Sequence, residues 1–219
     1  MNTSMDAYCE RTAPGLLAEP LNAITNASFL IAAWAAWYLA RRSGRLSADI
    51  RMLLWLSAAT GIGSGLWHTF ATAWSLILDI IPILLFLVWF FWLYLRGVAG
   101  MSTPFVVGSI VAFLLATVLA QGFANALHGA FYYTPALIFL FVLGLYHARE
   151  REVARFSLLA AAGALGLALV FRTLDQELCP SFPIGTHFLW HSLNGLAAYL
   201  AMRGLIISRA VSVGRGVGR

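Results

Sequence analysis

The sequence predicts an all-α membrane protein, a seven-transmembrane helical bundle, and three observations lead to that prediction. Of the 219 residues, 61% are hydrophobic and only 11% are charged, more apolar surface than a single soluble core can hide. Several apolar runs reach the roughly 20 residues that a helix needs to cross about 30 Å of hydrocarbon. Arginines cluster between these runs, as they do in the loops of membrane proteins.

Seven apolar runs along the chain are the predicted spans. Gly108 interrupts the fourth run, and Gly163 and Gly166 interrupt the sixth, but both keep the length of a span. No stretch outside the runs is long enough for a second domain, so residues 1–219 are predicted to form one membrane domain with a short N-terminal segment and a short tail. The runs cover residues 21–40, 50–71, 74–95, 103–121, 130–147, 154–171 and 184–207; the N-terminal segment is 1–20 and the tail is 208–219.

The arginines predict the orientation of the bundle. All fourteen basic residues are arginine, and in the seven-span arrangement only Arg11 and Arg172 fall on one side. The positive-inside rule then places the other side in the cytoplasm, the N-terminus outside and the C-terminus in the cytoplasm. The net charge of +5 is therefore a signal of topology and not of nucleic-acid binding. The lysine-free basic set favours a bacterial inner membrane, and residues 1–20 lack the pattern of a cleavable signal peptide.

Four ionisable side chains and one serine lie within the spans at matching depth. Ser64 and His68 are four residues apart, as are His187 and His191, so each pair shares a helix face. Asp79 lies about five residues into the third span, roughly 8 Å at the rise of a helix. All five fall near the outer, periplasmic face. Ionisable groups in hydrocarbon are costly and usually face a cavity, a partner or a metal.

This set of residues predicts a zinc site that performs hydrolysis. Three neutral imidazoles, from His68, His187 and His191, are a common ligand set of catalytic zinc, which keeps a fourth position for water. The metal lowers the pKa of that water and polarises a carbonyl. Asp79 could accept a proton from the water, and Ser64 could donate to the developing oxyanion. The alternative is that each histidine is an ordinary hydrogen-bonding partner between helices.

The order of these motifs resembles that of the alkaline ceramidases. Ser64 precedes His68 by four residues, Leu78-Asp79 precedes Pro82, and the pair His187 and His191 lies near the C-terminus. Further matches are Tyr8-Cys9-Glu10, Ala18-Glu19-Pro20-Leu21-Asn22, Asn26, and Phe171-Arg172-Thr173-Leu174-Asp175-Gln176 before Cys179. Alkaline ceramidases belong to a group of seven-span membrane hydrolases that also includes the adiponectin receptors.

The resemblance implies an activity and a set of site residues. It implies zinc on His68, His187 and His191, Asp79 as the base that activates water, and Ser64 as the oxyanion stabiliser. The reaction would be hydrolysis of the amide of a membrane lipid, with ceramide as the leading substrate.

The resemblance also implies two features of the outer side. One is a disulfide between Cys9 and Cys179, the alternative being two unpaired thiols. The other is a calcium site on Asp6, Glu10 and Glu19, although Asp6 is displaced by one residue from the family pattern and Thr12 replaces an asparagine. An ordinary solvated acidic terminus is the alternative to calcium.

Two other classes of function compete with the hydrolase. A receptor-like member of the same superfamily could keep zinc for structure or slow turnover, although the short cytoplasmic loops argue against it. A transporter or proton relay could also use membrane histidines, but it would need a polar path to both faces. Near the predicted outer boundary, Arg172 is expected to pair with Asp175, and Asn22 and Asn26 are expected to support a ligand of the site.

Overall fold

Helices form all the regular structure in the part of the chain that the computed structural model describes. That part comprises residues 5–123 and 126–215, with side chains up to Arg209. The predicted all-α class is confirmed for these residues. The residues of the predicted N-terminal segment and tail that lie outside the described part are 1–4 and 216–219. The helices are α1 Pro20–Thr25, α2 Ala27–Arg42, α3 Ala48–Phe70, α4 Ala73–Gly97, α5 Thr103–Gln121, α6 Thr134–Glu150, α7 Ser157–Leu178 and α8 His187–Arg215, with a 3-10 segment at Ala126–Tyr133 before α6.

Five helical segments are long and apolar enough to cross a membrane. They are residues 20–42, in which α1 and α2 follow each other through Asn26, and 73–97, 103–121, 126–150 and 157–178. Helices α3 and α8 are not among these five segments within the described residues. His68 lies on α3, and His187 and His191 lie on α8. The three histidines therefore lie on helices that do not meet the measure, whereas Asp79 lies on α4, which does.

Two helices differ from the predicted spans in a way that matters for the site. The sixth span was predicted to end at residue 171, but α7 continues to Leu178, and Asp175 is buried within it. The seventh was predicted to end at residue 207, but α8 continues to Arg215. Hydropathy ends a predicted span where polar residues begin. Asp175 is polar, but backbone amides satisfy its carboxylate inside the fold, so the helix continues past it.

Helices α3 and α4 form a tight antiparallel pair that brings the candidate residues together. Only two residues join them: Ala71, whose φ of 46° closes α3, and Thr72, which caps α4 with Ser75. Within the pair, a Cβ at Gly63 would overlap the backbone carbonyl of Leu78. The close approach therefore requires glycine, and it fixes Ser64 and Asp79, the next residue on each helix, in facing positions.

The remaining helices pack around this pair and around α8. Helix α8 packs against α7 and α2, α6 packs against α7, and α2 packs against α3. Ser28 on α2 donates to the carbonyl of His191 over 2.9 Å, which fixes α8 relative to α2 at the site. The buried core includes Phe90, Phe91 and Tyr94 of α4 together with Met202 and Leu205 of α8. All the candidate residues lie at one end of the bundle.

The N-terminal segment covers that end. Cys9 and Cys179 form a disulfide, the pairing that the resemblance implies, and it ties the segment to the end of α7. The amide of Met5 also donates to the carbonyl of Ala71 over 2.8 Å. The segment is thus held both to the α3–α4 turn and to α7.

Candidate functional site

Three buried histidines form the centre of the site. One nitrogen from each of His68, His187 and His191 lies within 4.8 Å of the other two. All three residues are at most 2% exposed. In the described part of the chain, no other set of three or more histidine, cysteine, aspartate or glutamate side chains comes this close. Imidazole nitrogens at this spacing can hold a metal ion, so the structure brings together the three ligands predicted from sequence.

Hydrogen bonds fix the rings of His68 and His191. His68 Nδ1 lies 2.5 Å from Oε2 of Glu19, a carboxylate that accepts the ring proton. His191 Nδ1 lies 3.2 Å from the hydroxyl of Thr25, which donates its own proton to the Leu21 carbonyl and so accepts from the ring. Each ring therefore carries its proton on Nδ1, which leaves Nε2 as the free lone pair. Such partners set the tautomer and orientation of metal-ligating histidines.

His187 has a different environment, and it also fits a metal ligand. Its backbone amide donates to Asp175 over 2.9 Å, and its ring stacks on that of Tyr8 with centroids 3.8 Å apart. The Nδ1 atom is buried and has no hydrogen-bond partner among the described residues. A buried polar atom without a partner is rare in folded proteins. The donor set of three neutral imidazoles, one with an unsatisfied nitrogen, fits a transition metal such as zinc.

Asp79 and Ser64 lie beside the histidines. Asp79 is buried, and its Oδ1 atom has no hydrogen-bond partner in the described structure. The Ser64 hydroxyl interacts with this carboxylate, and the close approach of α3 to α4 at Gly63 brings the two residues near each other. Both side chains line the same cavity as the three histidines. A carboxylate with a free oxygen beside a metal site is placed to exchange protons with a bound water.

Glu19 is part of this site, and Arg11 neutralises it. Glu19 is 2% exposed; its Oε1 accepts from Arg11 Nε over 2.5 Å, while Asn22 donates to Oε2 over 3.2 Å. Arg11 also donates to the backbone carbonyl of His68 over 3.1 Å. Burial raises the pKa of the Glu19 carboxyl above its ordinary value, and the hydrogen bonds from Arg11 and Asn22 oppose that shift.

Two of the three carboxylates that the resemblance assigns to calcium, Glu10 and Glu19, have other partners in the structure. Glu10 accepts from the amides of Leu21 and Asn22, at 2.7 and 2.8 Å, and so caps the N-terminus of α1. Asp6 is exposed. Calcium takes six to eight oxygen ligands, and these three carboxylates form no such cluster in the described chain. The calcium site stays a prediction.

Asp175 holds the start of α8 in place. Its Oδ1 accepts from the amides of Thr186 and His187, at 2.7 and 2.9 Å, and its Oδ2 accepts from Cys9 over 3.1 Å. The predicted pairing of Asp175 with Arg172 is wrong, because backbone amides already satisfy this carboxylate. A carboxylate at a helix N-terminus is also favoured by the helix dipole. Asp175 thereby fixes the position of His187.

An elongated cavity opens from the histidines into the bundle. Its polar end contains the histidines, Asp79, Tyr8 and Arg172, and the rest is mostly apolar. Residues that line it on α4 run from Asp79 to Phe91, which is roughly 18 Å at 1.5 Å per residue. The lining of the cavity is therefore polar at the histidines and mostly apolar along the rest of its length.

The sequence matches a known family over nearly its whole length. The family model described as Ceramidase matches residues 1–217. This chain belongs to the ceramidase family. A search of curated proteins found no significant match. Membership of the ceramidase family identifies the chain as ceramidase-like and supports an amide hydrolase acting on lipids, in agreement with the resemblance inferred from the motifs.

Several residues of the site escape reasoning from the sequence. Thr25 and Arg11 belong to segments whose path over the bundle cannot be read from hydropathy. The resemblance assigns Glu19 to calcium, and nothing in its local sequence indicates that it contacts His68. Asn22 was predicted to support a ligand of the site, and it does contact Glu19. Arg172 was placed at the boundary, yet it lines the cavity.

Proposed function

We propose that this protein is a zinc-dependent hydrolase that cleaves the amide of an N-acyl lipid, with ceramide as the leading substrate. The observation that carries the proposal is the buried cluster of His68, His187 and His191 beside Asp79 at the polar end of an apolar cavity. Membership of the ceramidase family supports the same reaction class. The products would be a long-chain amine and a fatty acid.

The three histidines would hold the metal and the neighbouring side chains would handle protons. Zinc, when bound, supplies a Lewis acid that polarises the amide carbonyl and makes water a better nucleophile. Asp79 takes a proton from the attacking water through its free carboxylate oxygen, and returns it to the amine as the carbon–nitrogen bond breaks. Ser64 donates a hydrogen bond to the oxygen that gains charge. Glu19 and Thr25 keep the histidine rings oriented throughout.

The cavity explains why the substrate should be a lipid. The apolar lining on α4 and α8 would contact an acyl chain, and burial of each CH₂ group contributes about 0.8 kcal/mol. The polar end then receives the amide beside Asp79 and the histidines. Remote binding energy of this kind positions the reacting group.

The arrangement in the membrane is also a proposal. We infer seven spans, with α3 and α8 crossing beside the five more apolar segments, in one domain. The N-terminus and the site would face the periplasm of a bacterial inner membrane, and the C-terminus the cytoplasm, because the arginines concentrate at the other end. Reporter fusions after Arg42, Gly97 and Glu150 should read cytoplasmic, and a fusion after Gln121 should read periplasmic. The opposite pattern would reverse the orientation.

One experiment tests the hydrolase directly. The purified protein is analysed for bound metals, and its products from ceramide and other N-acyl lipids are identified by mass spectrometry. We expect about one zinc per chain and release of fatty acid from at least one of these amides. Stoichiometric zinc with no cleavage of any amide would overturn the enzyme and favour a receptor-like protein.

A further inference from the structure

The polar end of the cavity contains a charged group that the proposed reaction does not use. Arg172 of α7 lines the cavity near Asp79 and the histidines. Its guanidinium carbon lies 5.7 Å from the ring centroid of Tyr8, 5.3 Å from that of Tyr133 and 5.2 Å from that of Trp190. Cations are attracted to aromatic faces at these distances. Three rings therefore hold this guanidinium in one place.

The guanidinium of Arg172 has more donors than protein partners. It carries five N–H groups, and the hydrogen bond to the Tyr8 hydroxyl is long, at 3.4 Å. Its Nε atom is buried and has no partner among the described residues. None of the ion pairs in that part of the chain joins Arg172 to a carboxylate. Arg172 is half-buried and interacts with the charge of Asp79 without an ion-pair contact. Its unused N–H groups are therefore suited to an anionic ligand.

We propose that Arg172 binds a carboxylate carried by the lipid in the cavity. A planar guanidinium binds a carboxylate through two parallel hydrogen bonds, whereas a ceramide headgroup offers only hydroxyls. The proposal rests on the proposed function and adds to ceramide a second class of substrate, N-acyl lipids with a carboxylate next to the amide, such as N-acyl amino acids. The carboxylate could also belong to the free fatty acid that hydrolysis releases.

Two measurements on the full-length protein test Arg172. In the first, a long-chain carboxylic acid and an alcohol of equal length compete with a fluorescent lipid probe, which requires no catalysis. In the second, kcat/KM is compared for an N-acylglycine and the N-acylethanolamine of the same chain. The variants are Arg172→Gln and Arg172→Lys, with Arg41→Gln as the control, because Arg41 is exposed and its guanidinium lies over the ring of Trp37, away from the cavity.

We expect the carboxylate to be preferred by about 10- to 100-fold in the wild type, the range for a charge-assisted hydrogen bond. Arg172→Gln should remove the preference, and Arg172→Lys and Arg41→Gln should retain it. If only the competition assay shows a preference for the free acid, Arg172 binds the fatty-acid product. If kcat/KM also favours the N-acylglycine, Arg172 binds the carboxylate of the substrate. Equal binding and equal kcat/KM in the wild type would overturn the proposal. If no amide is cleaved, the first measurement still tests Arg172.

Arg11 supports a second, independent inference, which concerns the positive charge beside Glu19 in the N-terminal segment. Its guanidinium bonds Glu19, the His68 carbonyl and, over 3.4 Å, the Gly15 carbonyl. Arg11 is only 5% exposed. A fixed positive charge thus already neutralises the carboxylate that the resemblance assigns to calcium. Glu19 in turn bonds His68 Nδ1.

We infer that Arg11 is a positioning residue that replaces an external divalent cation and orients His68 through Glu19. Its charge stabilises Glu19 in the buried site, where an unpaired carboxylate would be costly. Glu19 then keeps the proton of His68 on Nδ1. The site should consequently be independent of calcium.

Zinc affinity and calcium response test Arg11. Arg11→Gln should weaken zinc binding about 10- to 100-fold, the usual loss when a group behind a metal ligand is removed, and Arg11→Lys should restore part of it. Calcium added to dialysed wild-type protein should leave its melting temperature and zinc content unchanged. A rise in melting temperature with calcium, or wild-type zinc affinity in Arg11→Gln beside the control Arg41→Gln, would refute the inference.

Discussion

Two buried histidine environments at opposite ends of the bundle differ in what surrounds them. His147 on α6 is fully buried, and its Nδ1 lies 2.8 Å from the hydroxyl of Tyr94 on α4. His68 is equally buried, but it faces His187, His191 and Glu19. A single buried histidine paired with a tyrosine is a hydrogen-bonding link between helices. Burial alone therefore does not mark a functional histidine, whereas convergence of three does.

The largest expected effect is a loss of zinc and activity on substitution of a histidine in the three-histidine cluster, but not on substitution of His147. His191→Ala should abolish zinc binding and hydrolysis together, because two imidazoles do not complete the ligand set. The matched substitution His147→Ala should keep the zinc and the activity of the folded protein while lowering its melting temperature. Metal analysis and product release measured on both variants check this. Full zinc occupancy in His191→Ala would refute the ligand assignment.

Asp79→Asn should have the next largest effect. It keeps the shape of the side chain and removes its capacity to accept a proton, so kcat should fall roughly 10²- to 10⁴-fold. Zinc content should stay at the wild-type level, because Asp79 is not proposed as a ligand. A kcat within about threefold of the wild-type value would show that another group takes the proton.

Gly63→Ala should destabilise the end that contains the site. The added methyl group meets the Leu78 backbone, and overpacking typically costs about 1–3 kcal/mol. Gly163→Ala on α7 is the matched control, because its new Cβ has no neighbour within 4 Å. There the change should be neutral or stabilising by up to ~1 kcal/mol. Thermal unfolding in detergent compares them, and equal melting temperatures would mean that α3 and α4 separate readily.

The smallest expected effect lies at the end opposite the site. Arg209 donates to Asp49 over 2.5 Å, but both side chains are about a quarter to a third exposed, at 30% and 26%. Exposed ion pairs contribute about 0–1 kcal/mol. Arg209→Gln should therefore shift the melting temperature little and leave zinc content unchanged. A loss of zinc in this variant would show that the two ends are coupled.

Much of this fold could be predicted from the sequence because hydropathy is a local property. The helical runs follow from apolar length, and His68, Asp79, His187 and His191 are conspicuous because ionisable groups are rare in such runs. A spacing of four residues is enough to place His187 and His191 on one face of a helix.

The rest depended on long-range contacts that local patterns do not encode. Asp175 was expected to pair with Arg172, three residues away, but it caps α8, and Arg172 instead turns to Tyr8 and Trp190. The end of α7 was placed too early for the same reason. Glu19 looked like part of an acidic terminus, and only the fold of the N-terminal segment brings it to His68.

The Cys9–Cys179 bridge has a practical consequence for anyone who handles this protein. Tyr8, beside Cys9, stacks on His187, and Asp175 accepts from the Cys9 amide while it caps α8. A thiol reductant in the purification buffer would break the disulfide, and deletion of the N-terminal segment would remove it. Either change would release Tyr8 and Cys9 from the site while His68, His187 and His191 stayed in the chain. Loss of metal under such treatment would reflect the released N-terminal segment and not a defective set of metal ligands.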